Sequence, residues 1–159
     1  MNDARCDTPG TEVVEHAIPV RVYWEDTDAG GIVYHASHVR FFERGRTEFL
    51  RALGLSQTDL ADDGPGLLFA VRRMEIDYLK AAKLDDLLTV TTRVCDMGGA
   101  RMTMKQTLTR GDETIATAVV IVVGITREGR ARRIPGRFRT LVGHPEAPDA
   151  ADPAAPRET

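Results

Sequence analysis

The hydrophobic positions change period along the chain. In 18–25, "IPVRVYWE", Ile18, Val20, Val22 and Trp24 alternate with Pro19, Arg21, Tyr23 and Glu25, which predicts a strand. A helical period follows in "SHVRFFERGRTEFLRALG". Val39, Phe42, Phe49, Leu50 and Leu53 fall three, four or seven apart and form one apolar face. Ser37 is placed to cap this helix and Gly54 to end it, giving a length of roughly 24 Å. Gly45, inside it, costs about 1 kcal/mol relative to alanine, which a close helix-to-sheet approach would explain.

After the loop "SQTDLADDGPG" the period returns to two and stays there. Leu68, Ala70, Met74, Ile76 and Tyr78 share one side of the next strand. Leu88, Val90, Thr92 and Val94 do so in the strand after it, then Met102, Met104 and Leu108. Gly98-Gly99 and Gly111-Asp112 read as turns. The final run, "IATAVVIVVGI", is apolar on both sides, which predicts a central strand or an interface. One strand, one long helix and a four-strand meander give an α+β fold. Its simplest packing is a five-stranded antiparallel sheet wrapped around one long helix.

Composition sets limits on that picture. The 159 residues suit one domain, spanning 17–143, with polar or Pro/Ala-rich tails at 1–16 and 144–159 expected to be disordered. A net charge of −3 argues against a nucleic-acid binder. The longest apolar run is about half of what a membrane-spanning helix needs, and the first residues lack a signal peptide's apolar core. Cys6 and Cys95 make no CxxC pair and suit free thiols in a reducing compartment, Cys95 as a small apolar residue in a strand. These features predict a soluble, cytoplasmic protein.

The candidate chemistry lies in "EDTDAGGIVYHASH". Asp26 and Asp28 can be turn formers, since aspartate bonds its own backbone. An EF-hand beginning at Asp26 would require glutamate where Ser37 stands. An aspartyl phosphatase needs alternating strands and helices, which this chain lacks. His35 and His38 could share a helix face, yet no HExxH motif or cysteine ligand accompanies them, so no metal or cofactor is expected. Against these stands the position of the motif. A helix N-terminus, with unpaired N–H groups, directly follows a glycine turn that carries a carboxylate. Such N–H groups can bind a carbonyl oxygen while Asp28 attacks or activates water.

The run "VRVYWEDTDAGGIVYHASHVRFFERGRTEFLRALG" closely resembles the start of hotdog-fold acyl-CoA thioesterases. It is nearest to the YbgC type associated with the Tol-Pal system, which is related to 4-hydroxybenzoyl-CoA thioesterase. "FAVRRMEIDYLKAAKLDD" resembles the same family, and the resemblance extends over about 18–140. It implies a catalytic aspartate at Asp28 and a histidine at the helix entry, His35, whose backbone N–H polarises the thioester carbonyl. Tyr34 and Gly31 line the same turn, while Glu25 and Asp26 shape it. Trp24 departs from the tyrosine common in relatives, and can pack on the acyl chain or pantetheine arm.

The resemblance also implies acyl-CoA, or an acyl carrier protein, as substrate donor. It implies a homodimer whose sheets join, or a homotetramer, with sites at the dimer interface. The basic cluster "REGRARR" reads either as a solvated segment or as a clamp for the phosphates of coenzyme A through Arg130, Arg132 and Arg133. Arg72 and Arg73 are further phosphate candidates, with Lys80 and Lys83 behind them. Phe41, Phe42 and Phe69 are candidates for the acyl pocket. A hotdog hydratase or dehydratase and a non-catalytic acyl-CoA binding module are the alternative functions.

Overall fold

The computed structural model describes residues 14–62 and 64–143. Strand β1 (Glu15–Arg21) leads through a turn of 3-10 helix, Trp24–Asp26, to the long helix α1 (His35–Ala52). A short helix α2 (Gln57–Asp62) precedes strands β2 (Leu68–Tyr78), β3 (Leu87–Met97), β4 (Arg101–Arg110) and β5 (Glu113–Ile125), and helix α3 (Gly136–Leu141) follows. All strand pairs are antiparallel, in the order β1-β3-β4-β5-β2. With α1 packed along one face, this is the hotdog arrangement.

The predicted core is largely present. Leu88, Val90, Thr92, Val94, Met102, Met104 and Leu108 are buried, and β5, flanked by β4 and β2, is interior to the sheet. The helix contributes Phe41, Phe42 and Phe49, all with no exposed surface. Each phenylalanine contributes roughly 1.5–3 kcal/mol of burial. Val39 is 40 % exposed, so Phe41 takes the place assigned to it on the buried face.

Four expectations need correction. The first strand starts at Glu15 and ends at Arg21, so two residues of the expected N-terminal tail are ordered and Trp24 leaves the strand. The rest of both tails lies outside the described residues. The loop at 56–66 contains α2. In β2 the register shifts between Val71 and Arg73, and this bulge inverts the side-chain parity. Phe69, rather than Leu68 and Ala70, therefore packs on the core with Met74 and Ile76. Arg72 sits on the bulge, exposed, and breaks no buried face. Lastly, Cys95 lies in β3 as expected but is disulfide-bonded rather than free; Cys6 lies outside the described residues. Among the described residues, no helix is long and apolar enough to cross a membrane.

Candidate active site

The segment between β1 and α1 is a small hairpin. Thr27 bridges to Val33, Asp28 N–H donates to Ile32 O at 2.9 Å, and Tyr34 N–H donates to Asp26 O at 2.8 Å. Its tip is a tight turn in which Gly31 N–H donates to Asp28 O at 3.0 Å, with Gly31 at φ +76°. A side chain at Gly31 would have space but would strain that backbone. The hairpin is held to the sheet by Val33 N–H on Ala82 O, at 2.8 Å, and by a bridge from Ile32 to Lys83. The 80–86 connection is itself anchored by charge. Arg110 bonds Asp86 at 2.6 Å and Glu113 at 2.5 Å, and Lys80 pairs with Glu113 at 2.9 Å. Burial pushes the Asp86 carboxyl up, but the Lys83 N–H and Arg110 outweigh it and hold the group below its ordinary range.

The two aspartates occupy different environments. Asp26 is buried; its Oδ2 accepts from Tyr23 N–H at 2.8 Å, and Arg40 stands 3.5 Å from its Oδ1. It ties the 3-10 turn to α1. Asp28 is exposed at the hairpin tip, where Oδ1 accepts from Gly30 N–H at 2.8 Å. The sequence reading of Asp26 as the scaffold matches these contacts.

Helix α1 begins two residues before the predicted cap, with Tyr34 as N-cap and no side-chain capping bond. Ser37 is instead a buried helix residue, and its Oγ accepts from Arg40 at 3.1 Å. The consequence is chemical. Ser37 N–H turns back to Tyr34 O at 2.9 Å, whereas the N–H groups of His35 and Ala36 reach no backbone carbonyl among the described residues. Two adjacent donors at the positive end of a helix are therefore uncommitted, one hairpin stem away from an exposed carboxylate. Sequence reasoning singled out His35 and not Ala36, because a missing cap has no composition signal.

His35 is exposed and His38 buried, so the two do not share one surface as an isolated helix would suggest. His38 Nδ1 donates to Tyr34 O at 3.2 Å, which requires a proton on that nitrogen. Burial lowers the His38 pKa from its ordinary value, against the opposing backbone bonds. Because the fold disfavours imidazolium, this group's stabilising contribution is complete above the ordinary histidine pKa and is lost as pH falls through the lowered one. Urea unfolding should therefore show wild-type stability dropping between pH 7 and pH 5. The drop should be shallower in His38→Asn, which cannot take up the proton.

Of the remaining candidates, Tyr34 is half exposed and stacks on His35 with ring centroids 4.3 Å apart. Trp24 is 82 % exposed. Phe41 and Phe42 are sealed in the core, whereas Phe69 lines a cavity of about 180 Å³. Its other walls include Leu50, Met102, Met104 and Val122, with Glu43 and Arg46 at the polar side. Glu43 lies roughly 12 Å along α1 from His35.

The arginines are not gathered at the hairpin. Arg73 is paired with Glu75. The 127–133 segment continues from the far end of β5, where Arg132 N–H donates to Gly124 O. The hairpin end of the same strand is marked by Ile115, whose carbonyl takes the N–H groups of Leu79 and Lys80. Nine residues of strand separate these levels, about 30 Å. Arg127 is engaged with Ala61 O and Asp62, and Arg132 has a buried Nη1 with no hydrogen-bond partner. Arg130 and Arg133 are exposed.

Comparison with known proteins agrees with this architecture. Residues 22–153 match the family model of the thioesterase-like superfamily. The chain is 50 % identical over 106 residues to the acyl-CoA thioesterase YbgC of Haemophilus influenzae, covering 67 % of this chain and 77 % of that protein. It is 43 % identical over 105 residues to the acyl-CoA thioester hydrolase YbgC of Escherichia coli O157:H7, covering 66 % and 77 %. A crystal structure of a probable thioesterase from Bartonella henselae superimposes with a TM-score of 0.75 at 45 % identity, covering 77 % of this chain and all of that one. The chain is a member of the thioesterase-like superfamily and a thioester hydrolase.

Proposed function

We propose that the protein hydrolyses an acyl-CoA thioester to the free acid and coenzyme A at the 26–36 hairpin. The observation that carries this reading is the pair of uncommitted N–H groups on His35 and Ala36, one hairpin stem from the exposed carboxylate of Asp28. The thioester oxygen sits against the two N–H groups, which stabilise the oxyanion. Asp28 takes a proton from water as the water adds to the carbonyl carbon, or adds to that carbon itself. The C–S bond then breaks, and the thiolate leaves and is protonated; where Asp28 has added, water next cleaves the acyl–aspartyl anhydride, which releases the free acid and restores the carboxylate. The His35 imidazole orients water or substrate, Gly31 permits the turn, and Tyr34 and Trp24 contact the acyl chain or pantetheine arm.

An open carboxylate is poorly suited to this work, since water competes for it and screens the charges. A second copy supplies the cover. Strand β2 is an edge of the sheet, and Val71 on it is 50 % exposed. Two β2 edges paired antiparallel would join the sheets and set the Leu68 end of one copy beside the Tyr78 end of the other. Because Leu68 pairs with Ile125, the second copy's 127–133 segment would then arrive at this chain's hairpin. That geometry reconciles the arginine candidates with a coenzyme A phosphate site, although within one chain they lie at the wrong end of the sheet. A dimer is thus the smallest complete unit, and tetramers are built by doubling it. The cavity lined by Phe69 would take the acyl end. An acyl carrier protein is the alternative donor. The setting is the cytoplasm, although the disulfide at Cys95 is a feature uncommon there.

Thiol release across saturated and unsaturated acyl-CoAs tests the reaction. Release from both is expected, while water addition to an enoyl-CoA without thiol release would make the protein a hydratase. Neutralising Arg130, Arg132 and Arg133 together should raise KM for acyl-CoA by about tenfold and leave KM for the matching acyl-pantetheine unchanged. Equal effects on both substrates would remove these arginines from the phosphate site.

A further inference from the structure

The two uncommitted N–H groups belong to successive peptide planes, Tyr34–His35 and His35–Ala36. Each plane is gripped at its carbonyl end by one side chain. His38 Nδ1 donates to Tyr34 O at 3.2 Å, on the plane that carries the His35 N–H. The Tyr78 hydroxyl donates to His35 O at 3.0 Å, on the plane that carries the Ala36 N–H. The two gripping rings also meet each other edge to face, with centroids 4.9 Å apart.

A peptide unit is rigid and planar, so fixing the direction of its C=O fixes the direction of its N–H. A hydrogen bond accepted by the carbonyl also polarises the amide and strengthens the N–H as a donor. We propose that His38 and Tyr78 are positioning residues for thioester hydrolysis, each holding from behind one of the two peptides whose N–H groups receive the thioester oxygen. The proposal rests on the thioesterase reading of the hairpin.

Stability alone does not account for the Tyr78 contact. Tyr78 is 49 % exposed, so water could satisfy its hydroxyl equally well, and His35 O is already placed to accept within α1. The bond spans 43 residues, from the last residue of β2 to the first of α1. It therefore couples the sheet edge to the donor pair. His38 occupies the buried side of the same helix turn, where its ring also lies near Phe41. Its one available proton on Nδ1 is directed at the Tyr34 carbonyl.

The test compares kcat, KM and urea stability for wild type, Tyr78→Phe, His38→Leu and His38→Asn on an acyl-CoA substrate. Tyr78→Phe keeps the ring against His38 and deletes only the donor. It should lower kcat by about tenfold with KM nearly constant, the pattern of an interaction felt in the transition state. Its urea midpoint should not move. His38→Leu should lose a similar factor in kcat, and His38→Asn, whose side-chain N–H can point at Tyr34 O, should recover most of it. Undiminished kcat in Tyr78→Phe, or a loss confined to KM, overturns the proposal. So does His38→Asn being no better than a folded His38→Leu, and if the leucine variant fails to fold, Tyr78→Phe decides alone. Wild-type protein that releases no thiol overturns the thioesterase reading and this inference with it, whereas normal wild-type turnover with an unaffected Tyr78→Phe overturns only the inference.

Discussion

Replacing Asp28 with asparagine is expected to lower thiol release by about 10²–10⁴-fold while the protein unfolds at the same urea concentration as wild type. The carboxylate is exposed and accepts the Gly30 N–H, which an asparagine carbonyl can also do. Asparagine therefore keeps the turn and removes the proton acceptor. The matched control is Asp26→Asn. Asp26 is buried between the Tyr23 N–H and Arg40, so an amide there loses charge opposite a cation and places an NH₂ group where only acceptors fit. It should lower stability and leave the chemistry in place to the extent that the hairpin holds. Full activity in a folded Asp28→Asn would remove this residue from the reaction.

The second large effect is on the fold. Gly45→Val should destabilise the protein by about 2–4 kcal/mol, read as a lower denaturation midpoint with an unchanged slope. A Cβ at Gly45 would lie 2.5 Å from Val90 Cγ1, 2.9 Å from Thr92 Oγ1 and 3.0 Å from Gln106 Nε2. None of these three side chains has exposed surface to move into. Gln106 also donates to Phe42 O and Thr92 Oγ1, each at 2.8 Å, and accepts from Arg46 at 3.0 Å. Pushing it aside leaves buried polar groups unpaired, at about 1–3 kcal/mol each. The few tenths of a kcal/mol gained by exchanging glycine for valine in a helix do not offset that. Gly45→Ala should show the same sign at smaller size.

Gly45 also shows how far the sequence could be read. A close helix-to-sheet approach would explain a glycine in mid-helix, and the distances agree. The alternation in β3 and β4 identified their buried faces because those strands pair without offset over most of their length. In β2 the same rule failed, since the bulge at Arg72 depends on how β5 opposes it and not on local pattern. Of the order β1-β3-β4-β5-β2, only the interior place of β5 was legible, from its two-sided apolar run, because period-two patterning does not say which of the other strands lies at an edge.

In the candidate site, Asp28 and His35 were singled out from a glycine turn running into a helix, and the structure places them at the two ends of one small hairpin. The start of α1 was misjudged because Ser37 is a good capping residue, and the hairpin overrides it by tying Tyr34 to Asp26. Tyr78 was read as one more residue on a strand face; only the three-dimensional path brings its hydroxyl to His35.

The bare start of α1 has one more consequence, for anyone seeking a hardier form of this protein. Tyr34 stands where serine, aspartate or asparagine would ordinarily contribute about 1 kcal/mol by bonding the first N–H groups of a helix. Such a substitution is among the first that a thermostabilisation scheme would select. Here it would compete for the Ala36 N–H, one of the two donors proposed for the thioester oxygen, as an internal competitor that dilution cannot remove. The helix is less stable than it could be at the point where the substrate is proposed to complete it.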